Sequence, residues 1–289
     1  MDGSRKDIIE EITLANKINF ALNHMTTPGL DTRRFIDVAT KLGCVGIELR
    51  NDLADKHLST REFFDGENPA AIGEYARSKG LRLLGLSEAY GFNRWSEAMK
   101  GKVALLISQA RESSAESISL IPSNDGAEEP DEKRLLDLRN ALAAILPMLK
   151  EANLIALVEP LGFTTSSLRK KREAVEAIEA VGGKDHFRLV HDTFHHFLAS
   201  ETEYFPEWTG IVHISGVVDP KLAAEEMQDG HRILVDGADR LRNVEQIRAL
   251  LSMGYTGAFS YEPFSASVHA DPGVEKSLRE SMAFVEKAL

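Results

Sequence analysis

The stretch LIALVEP at residues 154–160 stays apolar for five positions and then presents a carboxylate, Glu159. Three later stretches repeat this pattern: FRLVHD at 187–192, GIVHIS at 210–215 and AFSYEP at 258–263. Each is rich in β-branched or aromatic residues, which is typical of a buried strand. The polar side chains at or near the C-terminal ends of the four strands are Glu159, Asp192, His213 and Glu262.

Eight runs of this kind alternate with helical patterns, which predicts a parallel sheet of the α/β class. The candidate strands lie near residues 18–23, 45–50, 81–86, 117–121, 154–159, 187–191, 210–214 and 257–261. Strand starts about 25 to 40 residues apart suit the βα units of a barrel. We therefore predict a single (β/α)8 TIM barrel domain spanning residues 1–289, with an N-terminal helical extension over its first 16 residues.

Helix signals support this division of the chain. Asp31 is a candidate N-cap for the first helix between strands, and Gly43 is placed to end that helix. Asn243 is a candidate cap for a later helix over residues 244–253. The widest gap between strands follows His213, so residues 215–242 are predicted to form a long loop over the barrel mouth.

The four polar strand ends predict a metal site. In a (β/α)8 barrel the C-terminal strand ends converge on one mouth, so ligands that are far apart in sequence can share one ion. Polar residues also end strands simply because loops begin there, but four successive strands ending in a ligand type favour a site. Three carboxylates and one imidazole suit one divalent ion: Mn²⁺, Zn²⁺, Mg²⁺ or Co²⁺.

Two further residues are candidates for contact with a substrate. His195 follows Asp192 by three residues and can reach back over the mouth. Arg232 lies in the predicted long loop and can clamp a substrate oxygen. His191 should face away from the side of the strand that Asp192 faces, because side chains alternate along a strand. We interpret His191 as structural.

Charge and composition restrict the partners. Acidic residues number 45 against 34 basic ones, and the net charge of −11 opposes binding to a nucleic acid backbone. The basic run at residues 169–172 begins a predicted helix and is interpreted as a solvated helix face. The single cysteine, Cys44, excludes an intramolecular disulfide and fits a reducing compartment. No bilayer-spanning stretch or apolar signal core is evident, so we expect a cytoplasmic protein without a membrane partner. Homo-oligomers are compatible with the sequence.

Several motifs together resemble the xylose isomerase-like barrel superfamily. They are VEPLG at 158–162, VHDTFH at 190–195, IVHI at 211–214, Arg232 with the later Asp236 and Gly237, and YEPF at 261–264. Further likeness lies in GIELR at 46–50 and GFN at 91–93. The chain is most similar to inosose (2-keto-myo-inositol) isomerases and the related rhizopine-catabolism proteins. Val235 departs from the Gly-x-Gly turn common in relatives, which indicates a different loop shape near the substrate.

The resemblance implies roles for the same residues. Glu159, Asp192, His213 and Glu262 would bind the metal, and His195 and Arg232 would touch substrate. The expected reaction is isomerisation or epimerisation of an inosose or small ketosugar in inositol or carbohydrate catabolism, through a metal-bound enediolate. Glu159 and Glu262 would act as acid and base on opposite faces of the substrate.

Three alternatives remain open on the sequence alone. A dehydratase would expel a β-hydroxyl from the same enediolate. A DNA-repair enzyme of the endonuclease IV type shares the barrel, but nine histidines and an acidic chain argue against its trinuclear zinc site and basic face. A metal-free sugar-binding barrel without turnover is the third.

Overall fold

The structure is a computed structural model that describes residues 18–289. The predicted N-terminal helical extension lies outside the described residues. At the start of the described chain, Ile18 is already buried in the main apolar core.

Eight parallel strands form one closed barrel in sequence order, so the predicted TIM barrel is confirmed. The strands are β1 (Phe20–Asn23), β2 (Gly46–Arg50), β3 (Arg82–Tyr90), β4 (Ser117–Ile121), β5 (Ile155–Val158), β6 (Phe187–Asp192), β7 (Thr209–Ile214) and β8 (Phe259–Tyr261). The barrel closes where β1 pairs with β8 as well as with β2. All eight C-terminal ends therefore face one rim.

Helices follow the strands and cover the outside of the barrel. They are α1 (Thr32–Leu42), α2 (Pro69–Ser78), α3 (Glu97–Ser113), α4 (Asp131–Ala152), α5 (Lys171–Ala180), α6 (Thr193–Leu198), α7 (Asn243–Ser252), α8 (Ala266–His269) and α9 (Val274–Ala288). The predicted ends of α1 are confirmed. The Asp31 side chain accepts a hydrogen bond from the Arg34 amide at 2.9 Å. Gly43 ends the helix at φ 73°, a conformation that glycine adopts without a Cβ penalty.

The inside of the barrel changes from apolar to polar along the strands. Its floor is a small apolar cluster: Ala21, Leu84, Leu157, Val190, Ile211 and Ala258. Residues two positions further along a strand point to the same side, one layer closer to the rim. In β6 and β7 these positions hold Asp192 and His213, and Glu159 follows Leu157 in the same way. The polar layer therefore lies directly above the apolar floor.

The predicted long loop is confirmed between β7 and α7. It contains two short 3-10 turns, Ala224–Glu226 and Asp229–His231. Gly216 and Ile233 form an isolated antiparallel bridge that folds the loop back on itself. Arg232 is consequently buried, with 1% of its surface exposed.

The predicted capping role of Asn243 is wrong. Asn243 is the first residue of α7, and Arg242 precedes it as the N-cap residue at φ 61°. The Asn243 amide donates to the Ser215 carbonyl at 2.7 Å and accepts from the Thr193 hydroxyl at 2.7 Å. These side-chain bonds tie the helix to the loop ends of β6 and β7.

The interpretation of the basic run as a solvated face is also wrong for Lys171, which is 2% exposed. Its ammonium donates to Glu201 Oε2 at 2.5 Å and to His196 Nδ1 at 2.8 Å. A buried ammonium needs such partners because burial of an unpaired charge is costly.

Candidate metal centre

The four predicted strand-end residues meet in the structure. Glu159, Asp192, His213 and Glu262 each offer one ligand atom, and these atoms all lie within 4.8 Å of one another. All four residues are buried. We call these four residues the quartet. Such a set of oxygen and imidazole ligands matches a site for one divalent ion.

Local structure fixes how each member is presented. Asp192 ends β6 and caps α6, because its Oδ1 accepts from the Phe194 amide at 2.7 Å and from the His195 amide at 3.2 Å. This leaves Oδ2 for other partners. Glu159 directly follows β5 and Glu262 directly follows β8, so both carboxylates lie at the rim.

His213 presents one ring nitrogen to the quartet and the other to a carboxylate beneath it. Its Nε2 lies 3.1 and 3.2 Å from the two carboxylate oxygens of Glu48. Its Nδ1 lies 3.2 Å from Glu262 Oε2 and 3.7 Å from Glu159 Oε1. Nδ1 is buried and makes no hydrogen bond within the described chain. A buried nitrogen of this kind, surrounded by carboxylates, fits a metal ligand.

The pKa of His213 reflects these surroundings. Burial alone would lower that pKa, but the charges of Glu262 and Glu48 outweigh burial, and the pKa lies well above its ordinary value. A positive charge at this position is therefore favoured electrostatically, which is what a cation in the quartet would supply.

Arg232 contacts two members of the quartet. Its Nη2 donates to Asp192 Oδ2 at 2.6 Å and to Glu262 Oε2 at 3.1 Å, and its Nε donates to Ser215 Oγ at 2.9 Å. The residue also lines the mouth cavity. The structure thus brings Arg232 to the site and shows that it neutralises and orients two carboxylates.

Arg50 is a site residue that the sequence analysis missed. Its Nη1 donates to Glu262 Oε1 at 2.7 Å, while Nε and Nη2 hold Asp52 at 2.8 and 2.7 Å. Arg50 ends β2 and shares an inward-facing parity with Glu48. That parity was the available signal, although an arginine at a strand end equally suggests a solvated side chain.

The two glutamates of the quartet differ in their electrostatics. Burial raises the pKa of Glu159 to about 7, although the nearby His213 ring opposes the rise. Burial would also raise the pKa of Glu262, but the charges of His213, Arg232 and Arg50 hold that pKa well below its ordinary value. In the metal-free chain, Glu159 is therefore the more readily protonated of the two glutamates.

The quartet opens into a cavity of about 240 Å³ at the barrel mouth. Its lining is mixed: Arg50, Lys56, Glu88, Tyr90, Ile121, Asn124, Glu159, Leu161, Phe163, His195, Asp229, Arg232, Glu262 and Phe264. His195 is 4% exposed, and its Nδ1 has no hydrogen-bond partner in the described chain. A larger cavity of about 640 Å³ lies between residues 233–236 and α9, away from the quartet. The smaller cavity has the size and polarity for a small polyhydroxy ligand.

The sequence from residue 36 to residue 288 matches the model of the xylose isomerase-like TIM barrel family. The chain belongs to this family. The match spans most of the barrel and includes every member of the quartet.

Several solved structures are similar along nearly the whole chain. A xylose isomerase domain containing protein from Salmonella typhimurium LT2 is 30% identical, covers 92% of this chain and 94% of its own, and superposes with a TM-score of 0.81. The IolI protein, solved with a bound zinc atom, is 16% identical over 94% of this chain and 99% of its own, with a TM-score of 0.82. D-Psicose 3-epimerase from Clostridium cellulolyticum H10, solved with D-tagatose, is 16% identical over 94% and 99%, with a TM-score of 0.70.

At 16% identity the last two similarities show the fold alone. No curated protein sequence matches this chain significantly. Among residues 18–289, no helix combines the length and the apolar character needed to cross a membrane.

Proposed function

We propose that this xylose isomerase-like protein is a metal-dependent isomerase or epimerase of a keto-inositol (inosose) or a small ketosugar. The observation that carries the proposal is the convergence of four ligand atoms within 4.8 Å at the base of a polar mouth cavity. The zinc in the IolI structure and the D-tagatose in the epimerase structure support the metal and the ligand class.

The quartet would hold one divalent ion: Mn²⁺, Zn²⁺, Mg²⁺ or Co²⁺. Such an ion supplies Lewis-acid polarisation of a ketone and its neighbouring hydroxyl. The donor set fits, because Nδ1 of His213 has no hydrogen bond among residues 18–289 and three carboxylates lie close to it.

Proton transfer is assigned to the two glutamates, with different tasks. Glu159, whose pKa burial raises to about 7, can take the α-proton of the substrate and return it to the adjacent carbon. Delivery of a proton to the opposite face of the substrate would require Glu262 to be protonated. The hydrogen bonds that Glu262 accepts from Arg50 and Arg232 disfavour that protonated form. The geometry therefore favours isomerisation through Glu159 over epimerisation through both glutamates.

His195 and Arg232 are assigned to substrate binding. Burial lowers the pKa of His195, so a neutral imidazole lines the cavity near pH 7. Its unpaired Nδ1 can exchange a hydrogen bond with a substrate hydroxyl. Arg232 uses its outer donors on Asp192, Glu262 and Asp229, and its position in the cavity wall supports a contact with a substrate held at the quartet.

We further propose that the protein acts in the cytoplasm, in inositol catabolism. Burial raises the pKa of Cys44 to about 12, so this single thiol stays protonated and inert. A chain with one buried thiol and no disulfide suits a reducing compartment.

The test is an NMR assay of metal-loaded protein in deuterated water against a panel of inososes and ketohexoses. Isomerase or epimerase activity places deuterium on the substrate carbon and gives a product of the same composition. The matched control is metal-loaded Glu159→Gln, which keeps the side-chain size. Wild-type protein that binds panel members without exchange or turnover would instead be a sugar-binding barrel, and the proposal would be wrong.

A dehydratase is the second candidate, and Glu88 favours it. Glu88 is a carboxylate of the cavity wall outside the quartet, and burial raises its pKa to about 7. A carboxylic acid at this position can protonate a departing β-hydroxyl. Product mass separates the two reactions, because dehydration loses water and isomerisation does not.

A further inference from the structure

Glu48 lies in β2 beneath the quartet and is fully buried. Both of its carboxylate oxygens face Nε2 of His213, at 3.1 and 3.2 Å. The Ser260 hydroxyl donates to Glu48 Oε1 at 2.6 Å. Ser260 is also the strand-register partner of His213 between β7 and β8. Side chains from β2, β7 and β8 are thus linked by hydrogen bonds beneath the quartet.

We infer that Glu48 is a positioning residue of the metal centre, which keeps the His213 proton on Nε2 and leaves Nδ1 free to bind the ion. The inference deepens the proposed function and rests on it for the identity of the bound species. It assigns a role to a residue that lies outside the quartet and does not line the mouth cavity.

The argument begins with donor and acceptor types. An ionised carboxylate only accepts hydrogen bonds, so the ring nitrogen that faces Glu48 must carry a proton. A neutral imidazole has one N–H, so Nδ1 then holds a lone pair. A histidine ligand must present such an unprotonated nitrogen to a metal. The Glu48 oxygens, placed to accept from Nε2, therefore select the tautomer that can bind the ion.

The opposite side of the ring makes this selection necessary. Nδ1 lies near carboxylate oxygens of Glu262 and Glu159. Without Glu48, these carboxylates would draw the single proton of a neutral imidazole onto Nδ1. The lone pair would then point into the barrel floor, away from the quartet. Glu48 counteracts this by offering its own acceptor, which Ser260 holds in place.

Substitutions of Glu48 distinguish its positioning role from a contribution to packing alone. Glu48→Met keeps a buried side chain of similar length but removes the acceptor, and zinc affinity should fall about 10-fold to 100-fold. Glu48→Gln retains a carbonyl oxygen that can still accept from Nε2, so it should lose less affinity. Tyr261→Phe is the control: Tyr261 neighbours Ser260 but bonds to Ser281 at 2.9 Å outside the barrel. Tyr261→Phe should lower thermal stability and leave zinc affinity unchanged.

Zinc affinity is measured by competition with a chromophoric chelator at one fixed pH. The proton is located by long-range ¹H–¹⁵N NMR of histidine-labelled protein, with His213 assigned by comparison with His213→Ala. In zinc-loaded wild type the proton should lie on Nε2. Wild-type zinc affinity in Glu48→Met together with an unchanged Nε2 proton would overturn the inference.

Failure of the proposed function would give a different result. Wild-type protein that binds no zinc overturns the proposed metal site, and the NMR spectrum of the zinc-free protein then decides the role of Glu48. A proton on Nε2 that is lost from Nε2 in Glu48→Met supports the positioning role, whether or not Nδ1 is also protonated in the wild type. A proton on Nδ1 alone in wild type contradicts it.

Discussion

Arg50 Nη1 donates to Glu262 Oε1 at 2.7 Å, and both side chains are almost completely buried. The same guanidinium holds Asp52 with two bonds and Glu88 at 3.0 Å. One cation from β2 thus neutralises three carboxylates, one of them in the quartet. A planar guanidinium can do this because its donors point in several fixed directions.

Replacement of Arg50 should therefore destabilise the protein strongly. Arg50→Met removes the buried cation that these three carboxylates share, although Glu262 keeps its bond to Arg232, and the free energy of unfolding should fall by about 3 to 5 kcal/mol. Urea unfolding followed by circular dichroism measures the loss. Arg33→Met is the matched control, because Arg33 pairs with Glu67 at 2.7 Å on the surface, where a pair contributes about 0 to 1 kcal/mol. Equal losses in the two variants would contradict the prediction.

Metal content is the direct test of the quartet. Protein purified without chelator should hold about one divalent ion per chain, as expected for one mononuclear site. His213→Ala and Asp192→Ala should abolish tight binding, because each removes one of four ligands. Elemental analysis by plasma mass spectrometry measures the stoichiometry. Glu88→Gln lies in the same cavity but outside the quartet and should retain the ion. Unchanged stoichiometry in both ligand variants would rule out the site.

The two quartet glutamates should respond differently to the same substitution. Glu159→Gln and Glu262→Gln each keep one ligand oxygen, so some metal should remain in both. Turnover should fall by about 10² to 10⁴ in Glu159→Gln, which loses the base, and by less in Glu262→Gln, which loses a charged ligand. Because Glu159 is assigned as the base, Glu262→Gln should still exchange the substrate α-proton with deuterated water, whereas Glu159→Gln should not. Solvent exchange is followed by NMR. The reverse order of exchange would transfer the base role to Glu262.

Substitution of His195 and substitution of Arg232 should differ in their effect on metal binding, although both residues line the cavity. His195→Ala should retain metal and lose catalytic efficiency about 2-fold to 10-fold, the value of one neutral hydrogen bond of about 0.5 to 1.5 kcal/mol. Arg232→Ala should lose efficiency and weaken metal binding, because Asp192 and Glu262 each lose a guanidinium contact. Wild-type kinetics in His195→Ala would remove that residue from the site.

The parts of the structure that could be predicted follow from local patterns. Apolar runs that end in a polar residue gave the strands, and their convergence in a closed barrel follows from the fold class. Parity along the strand also places His191 correctly as structural. It is fully buried, and its Nε2 bonds to Gln246 at 2.9 Å.

The missed features depend on contacts between distant segments. Glu48 and Arg50 gain their roles only when closure of the barrel brings β2 close to β7 and β8. Lys171 becomes buried because Glu201, thirty residues later in sequence, folds against the start of α5. Asn243 has a better partner in Ser215 than the end of its own helix offers. No window of local sequence contains these partners.

Stability should fall in mild acid, and His24 should account for part of the loss. His24 is buried, stacks on Phe35 with ring centroids 4.3 Å apart, and hydrogen-bonds to the Leu30 carbonyl at 3.1 Å. Burial lowers the pKa of His24 from 6.5 to about 4, although the bond to Leu30 opposes the shift. The unfolded chain therefore binds a proton between these pKa values and the folded chain does not. The stabilising contribution is complete above the unfolded pKa and is lost as the pH falls toward the folded pKa.

His24→Gln removes this titration while retaining a side chain that can donate to Leu30. When the pH is lowered from about 7.5 to about 5, the free energy of unfolding should fall by about 2 kcal/mol less in the variant than in wild type. This difference corresponds to about 1.36 kcal/mol for each pH unit below the unfolded pKa of His24. Urea unfolding at the two pH values measures this difference. His57→Gln is the control, since His57 is exposed on a loop, and it should follow the wild-type pH dependence. Equal losses of unfolding free energy in wild type and His24→Gln would show that His24 has the same pKa in the folded and the unfolded chain.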